Sequence, residues 1–408
     1  MTREVAMLIY PWDIQVDGTA KVLDTVTSLG VDRLQIATVY HSAELISPRR
    51  DASVATIAEA NTAHLPLADG AFSRLSIPPS SIAQRDPELY PRLSAAAAEQ
   101  GIALDGWAIA LHNSSLAVAH PDVALLNCFG DRFTHALCPA NPGVRRYAVE
   151  LFAAVARTGY FQRILAESVS YLLYSHGHPH ELWGARLDVT TRYLLSLCFC
   201  PHCTAAGVAG GIDVAALRLK AGRELQRTWN AEFSALRAPD DGIELMSLVV
   251  GWPDLAAFTA MRCAQVTSLV TEIRDACSAE GALLDISAAV WARPSASNWM
   301  EGVDIGAMRR IADGFVLESY HENVDEVVRD LDHVLALSGP TDDAGASLTV
   351  ALTLWEAHHR TADGLVSKAR AAREAGASSL ALYNYATATK RTLGWMAAAA
   401  AEFKGGER

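Results

Sequence analysis

The chain has 408 residues, half of them hydrophobic and 20% charged, with a formal charge of -12 at pH 7. That composition supports a large buried core, and the acidic balance without any long Lys/Arg run argues against a nucleic-acid or anionic-membrane surface. The first apolar run is too short for a secretory signal, no apolar stretch reaches membrane-span length, and seven cysteines, an odd number, speak for reduced thiols; a cytoplasmic protein is expected.

Residues 5–10 form an apolar run that predicts the first strand. A rhythm then repeats in which a helix-like stretch ends in Gly and a short apolar run begins a few residues on. Gly30 precedes 34–38, Gly101 precedes 102–110, Gly159 precedes 164–167, Gly281 precedes 283–287, Gly314 precedes 315–318 and Gly376 precedes 379–383, while 348–354 adds one more run. Gly just past a helix end supplies the left-handed C′ conformation, and the apolar run is the next buried parallel strand. Between the third and fourth runs, Asn141 and Pro142 open a helix with Val144, Tyr147, Leu151 and Val155 on one stripe. Eight such units, without a Gly-rich dinucleotide fingerprint after the first strand, predict an α/β fold: a (β/α)8 barrel over residues 1–408 as one domain.

Two connections are longer than a barrel requires. Residues 41–100 hold Leu75-Ser76-Ile77-Pro78-Pro79 and are expected to form a loop excursion over the active face. Residues 168–280 form an insertion with clustered cysteines and helix-like segments at 214–236 and 254–277. Residues 243–250, between Asp241-Gly242 and Gly251-Trp252-Pro253, suit a ninth strand or a short helix. They are excluded from the barrel because they break the helix–Gly–strand rhythm.

The most specific local pattern is Cys198-Phe199-Cys200-Pro201-His202-Cys203, with Cys138 upstream in Leu137-Cys138-Pro139. A C-x-C-x-x-C knuckle plus one distant Cys supplies four thiolates, the ligand set of a structural zinc site with no open position. Cys138, Cys198, Cys200 and Cys203 are therefore the expected metal ligands. Cys128, Cys263 and Cys277 read as ordinary buried or surface residues.

Barrel catalytic groups sit where strands run out at their C-terminal ends. Glu167 closes the fourth run, where a carboxylate is costly unless it faces the mouth. Near it in sequence lie His176, His178, His180 and Glu181, and the loop after the third strand carries His112, Asn113, His120 and His135. Such a loop can bind a polyhydroxylated ligand or a catalytic metal. Trp12, Asp13, Trp107, Trp291, Tyr320, Trp355, Tyr383 and Asn384 lie near other strand ends, and aromatics around one rim suit sugar faces.

The upstream Cys with its C-x-C-x-x-C resembles the zinc site of family-42 beta-galactosidases, clan A barrel glycosidases. The chain also resembles a family of glycoside-hydrolase-like bacterial barrel proteins, mainly over residues 100–205. The segments that carry this are His112-Asn113-Ser114, His120-Pro121-Asp122, Leu137 to Pro142, Glu167-Ser168, His176 to Glu181 and Leu197 to Cys203. The resemblance implies Glu167 as general acid/base, with a partner carboxylate at the end of the seventh strand. With 243–250 excluded that partner is Glu356; with it included, Glu318. The strand rhythm favours Glu356. Family-42 enzymes carry Asn directly before the acid/base, where this chain has Ala166, so Asn113 becomes the candidate for a sugar 2-hydroxyl.

Three functions stay open. The first and favoured is a glycoside-hydrolase-like enzyme acting on a glycosylated small molecule or oligosaccharide by carboxylate acid/base catalysis. The others are a metal-dependent lyase, isomerase or hydrolase using the His-rich loop, and a non-catalytic carbohydrate-binding barrel. No nucleic-acid or membrane partner is expected, and self-association is compatible with the sequence.

Overall fold

The computed structural model describes residues 3–174, 176, 184–185, 187–230, 242–287, 295–339 and 345–405. Eight parallel strands close into a barrel: β1 (Glu4–Ile9), β2 (Arg33–Tyr40), β3 (Ala103–Ile109), β4 (Arg163–Glu167), β5 (Leu283–Ser287), β6 (Gly314–Glu318), β7 (Ser347–Thr353) and β8 (Ser379–Tyr383). Each pairs with its sequence neighbour, and β8 pairs with β1 to close the ring. This is the predicted (β/α)8 barrel. All eight apolar runs form strands because each is buried on both faces, inside by its neighbours across the barrel and outside by helices.

The glycine rhythm holds at Gly30 and Gly376, which turn out of their helices at φ +79° and +80°. Gly314 is different: it is the first residue of β6, not a helix cap. A Cβ there would lie 2.1 Å from Asp285 Oδ1 and 2.8 Å from Arg163 Nη2. Those side chains belong to ion pairs across the N-terminal ends of the strands, Arg33 on Asp105 (2.6 Å) and Arg163 on Asp285 (2.5 Å). Gly314 leaves room for them.

Residues 243–250, the ninth strand candidate, lie in the helix Ile243–Gly251. It leads into the long helix Pro253–Ala279 through a 104° bend. Among the described residues no single helix is long and apolar enough to cross a membrane. The connection after β4 further holds helices Val189–Leu195, Pro201–Ala209 and Val214–Trp229. The connection after β3 is also elaborated, which its sequence did not announce: a hairpin of Ala124–Leu126 and Arg132–Leu137 precedes the helix Pro142–Arg157, whose Asn141 cap accepts from Gly143 and Val144 N–H.

Residues 41–80 begin with the hairpin Glu44–Ile46/Ala55–Ile57 and return as Thr62–Ala63, antiparallel to the C-terminal end of β2. Arg50 and Arg49 pin them. Arg50 pairs with Asp13 (2.8 Å) and Asp17 (3.2 Å) after β1, while Arg49 pairs with Asp17 and stacks on Tyr385 after β8, 3.7 Å from the ring centre. Asp13 is fully buried and the other three charged side chains are largely enclosed. The segment is thereby tied to the C-terminal end of the barrel.

Candidate active site and metal centre

Glu167 is the last residue of β4 and Glu318 the last of β6. Each carboxylate rests on a donor from the preceding strand. Trp107 Nε1 donates to Glu167 Oε2 over 2.6 Å, and Ser287 Oγ donates to Glu318 Oε1 over 2.5 Å. Trp107 is level with Leu165 and Ser287 with Val316, two residues before each glutamate. Side chains along a strand alternate, so donor and carboxylate share the inward face, one layer apart.

Both carboxylates keep a small opening to solvent and are otherwise enclosed by protein. Burial pushes Glu167 up to about 7 against the pull of the Trp107 hydrogen bond. Burial, and then the charge of Glu167, push Glu318 up to about 8. Two enclosed carboxyls that repel each other share a proton near neutrality and titrate as a pair. A third acid, Glu301, is buried, accepts from Ser170 Oγ just after β4 (3.2 Å), and adds to the negative charge felt by Glu318.

Aromatic groups wall this pair. Tyr10 follows β1, Tyr40 ends β2 and Tyr383 ends β8; the Tyr10 hydroxyl lies 3.1 Å from that of Tyr40 and 2.9 Å from that of Tyr383. Trp107 packs within 5.4 Å of Tyr10 and 5.0 Å of Tyr40, and Tyr320 stacks on Tyr383 at 5.7 Å. Burial raises all four tyrosine hydroxyls, leaving them neutral donors and acceptors. Trp12 stacks on Tyr10 (4.4 Å), and Trp355 packs near Tyr320 and Tyr383 while donating to Thr387 Oγ1 (2.9 Å).

Three expected site residues have their polar atoms engaged by the surrounding structure. Glu356 lies three residues past β7, half exposed, with its carboxylate 3.1 Å from Thr389 Oγ1 and 3.9 Å from Arg391. The strand count that selected it holds, but its side chain turns outward to the last helix. Asn113 is buried: Oδ1 caps the helix Ser114–Ala119 at Leu116 N (2.9 Å) and Nδ2 reaches Tyr147 Oη (3.4 Å). Its polar atoms are engaged in folding the loop. Asn384 likewise accepts from Thr387 N and Oγ1, with Nδ2 3.5 Å from the Tyr10 hydroxyl.

His112 stacks on His41 (4.4 Å between ring centres) and meets His176 edge-on (4.7 Å), while His41 stacks on Tyr40 (4.4 Å). His135 lies 6.1 Å from His112, its Nε2 3.2 Å from Leu173 O. These rings pack face and edge. His178, His180, Glu181 and Trp291 lie outside the described residues. Sequence reasoning missed Tyr10, Tyr40, His41, Ser287 and Glu301. The first four stand at strand ends, the position that singled out Glu167; Glu301 arrives from a 3-10 turn that carried no signal.

The four expected cysteines form a second centre. Cys138 follows the hairpin after β3, and Cys198, Cys200 and Cys203 enter the helix Pro201–Ala209. Cys138 Sγ lies 3.5 Å from Cys200 Sγ, 3.5 Å from Cys203 Sγ and 3.9 Å from Cys198 Sγ. All four are buried, and every Sγ lies within 4.8 Å of the others. A disulfide needs about 2.05 Å, so these are not bridges. The edge of a tetrahedron around an ion at about 2.3 Å from each sulfur is about 3.8 Å, which matches. Backbone N–H groups of Leu126 and Cys203 point at Cys198 Sγ and Cys200 Sγ (3.5 Å each) and would stabilise thiolates. The cluster can hold a metal ion, and it ties the connection after β4 to the one after β3.

No family model and no curated protein matches the sequence. Solved structures do resemble the fold. Alpha-L-fucosidase isoenzyme 2 from Paenibacillus thiaminolyticus superimposes with a TM-score of 0.55 at 12% identity, over 98% of this chain and 49% of that one. The beta-galactosidase of the psychrophilic Marinomonas ef1 gives 0.56 at 12% identity, over 99% and 61%. The cold-adapted beta-galactosidase of Rahnella sp. R3 gives 0.55 at 11%, over 99% and 56%. The chain thus spans about half to three fifths of their lengths, and at such identities the likeness is one of fold.

Proposed function

We propose that the chain is a glycoside hydrolase that uses Glu167 and Glu318 as its carboxylate pair, on a glycosylated small molecule or oligosaccharide. The observation that carries this is the pair itself: two enclosed, mutually repelling carboxyls at inward strand ends, under an aromatic wall. Glycoside hydrolysis needs one carboxyl protonated to release the leaving oxygen and one ionised to act as nucleophile or base. Trp107 can only donate, which favours the ionised form of Glu167; Ser287 can also accept, and so tolerates a protonated Glu318. Glu318 then holds the proton as general acid and Glu167 is the carboxylate, the reverse of the roles expected from clan A. The tyrosine hydroxyls supply contacts for sugar hydroxyls, and the ring faces of Tyr320 and Tyr383 a platform for the sugar's C–H face. The beta-galactosidases and the fucosidase that share the fold are consistent with this reading.

A panel of aryl glycosides tests it. Glu167→Gln should lose about 10²- to 10⁴-fold in turnover with all leaving groups. Glu318→Gln should lose as much with poor leaving groups but far less with activated ones, and Glu356→Gln should stay near wild type. Retention of full activity by both Glu167→Gln and Glu318→Gln would remove the pair from the mechanism.

We further infer that the ion suited to the four cysteines is zinc, in a structural role. Four thiolates in a closed, buried tetrahedron match its preferred ligands and leave no position for substrate.

A further inference from the structure

Arg262 lies within the helix Pro253–Ala279 and is completely buried. Its three guanidinium nitrogens meet no carboxylate or backbone carbonyl within hydrogen-bond geometry among the described residues; the polar group that supports the cation is the neutral hydroxyl of Tyr193. What surrounds them is aromatic: the guanidinium carbon stands 4.6 Å from the centre of the Tyr171 ring and 5.4 Å from that of Tyr193. The Tyr193 hydroxyl also lies 2.6 Å from Thr259 Oγ1, and being neutral it supports the guanidinium without supplying a counter-charge. Tyr171 directs its hydroxyl at Cys203 Sγ, 3.6 Å away.

A guanidinium stays protonated wherever it is buried, and a buried cation without a counter-charge is strongly unfavourable. Stacking on two rings offsets part of that cost. Four thiolates around a divalent ion carry a formal charge of about -2, also away from water. These two opposite burdens meet at one tyrosine, the cation over its ring and the thiolates at its hydroxyl. The ring is fixed there, because Gly302, at φ +81°, turns so tightly that a Cβ would lie 3.1 Å from both Tyr171 Cδ2 and Arg262 O. The Arg262 helix also docks on the cysteine knuckle, with Phe258 stacked on Phe199 at 5.5 Å.

We infer that Arg262, acting through Tyr171, is the counter-charge of the metal–thiolate centre, a positioning residue outside the ligand set. This rests on the reading of the four cysteines as a metal site. Outer-shell partners of a metal site are commonly worth 10- to 100-fold in affinity, and a charge one ring away belongs with them.

The full chain tests it with wild type, Arg262→Met, Arg262→Lys and Tyr171→Phe. Zinc affinity is read by competition with a chromophoric chelator, and thermal stability is read with and without zinc. Arg262→Met should bind zinc about 10- to 100-fold more weakly, with Arg262→Lys recovering most of the loss and Tyr171→Phe falling between. Arg262→Met should also stabilise the metal-free protein while destabilising the loaded one, a reversal of sign that a packing role does not produce. Unchanged zinc affinity in Arg262→Met, or equal destabilisation with and without zinc, overturns the inference. If Arg262→Met does not fold, Tyr171→Phe decides, since unchanged affinity there breaks the link to Cys203. Wild type that takes up no zinc, with four titratable thiols, sinks the metal reading itself and is distinct from a failure confined to the variants.

Discussion

Trp107 on β3 donates its indole N–H to Oε2 of Glu167 on β4 across 2.6 Å. The bond exists because β3 and β4 pair with Trp107 level with Leu165, one inward layer below the carboxylate. It supports the ionised form of a group that burial pushes the other way, up to about 7.

Trp107→Phe keeps the ring and removes the donor, so Glu167 should take its proton at higher pH. The acid limb of a rate–pH profile should move upward, while an ordinary packing change would lower the rate without moving it. An unmoved limb, measured on a substrate with an activated leaving group, would mean that Glu167 is not the group that must ionise.

The raised carboxyls also set a stability profile. Glu318 ordinarily titrates at 4.5 and is pushed up to about 8 in the fold. Between those values the folded chain binds more protons than the unfolded one, so stability is full below about 4.5 and declines as pH rises through about 8. Glu318→Gln removes this decline. Its melting temperature relative to wild type should rise between pH 5 and pH 9, and a constant difference across that range would contradict the assigned shift.

Metal analysis of the purified protein should find about one zinc per chain. Cys200→Ser should lose most of it and melt several degrees lower, because metal binding free energy is part of folding free energy. A wild-type protein that melts identically before and after exposure to a strong chelator would refute a structural ion here.

Gly314→Ala probes the other end of the barrel. The added Cβ meets Asp285 Oδ1 at 2.1 Å and Arg163 Nη2 at 2.8 Å, so the pair between β4 and β5 must shift or break. A loss of about 1–3 kcal/mol is expected from overpacking, with zinc content unaffected. Denaturant midpoints equal to wild type would show that the ion pairs there have room to move.

The sequence alone determined what depends on near neighbours. A short apolar run, in most cases a few residues after a Gly that ends a helix, is a local feature, so all eight strands were readable. Likewise, Cys198, Cys200 and Cys203 are held together by a few bonds of chain, so their clustering followed from spacing. Glu167 was legible because it closes a strand run, and strand ends in a barrel point their inward residues at the mouth.

Only the tertiary structure decided which carboxylate faces Glu167. Glu318 closes its apolar run as Glu167 does, whereas Glu356 lies past the run 348–354, but the strand count points to Glu356 and outweighs that local sign. The difference is that Glu318 is the last residue of β6 and falls on its inward face above Ser287, whereas Glu356 comes three residues after β7 and pairs outward with Thr389 and Arg391. The tyrosine wall was hidden for the same reason: Tyr10 and Tyr383 are 373 residues apart and meet only because β8 pairs with β1 to close the ring. Strand pattern fixes which residues alternate inward; closure and register, set by packing across the whole barrel, fix which of them touch.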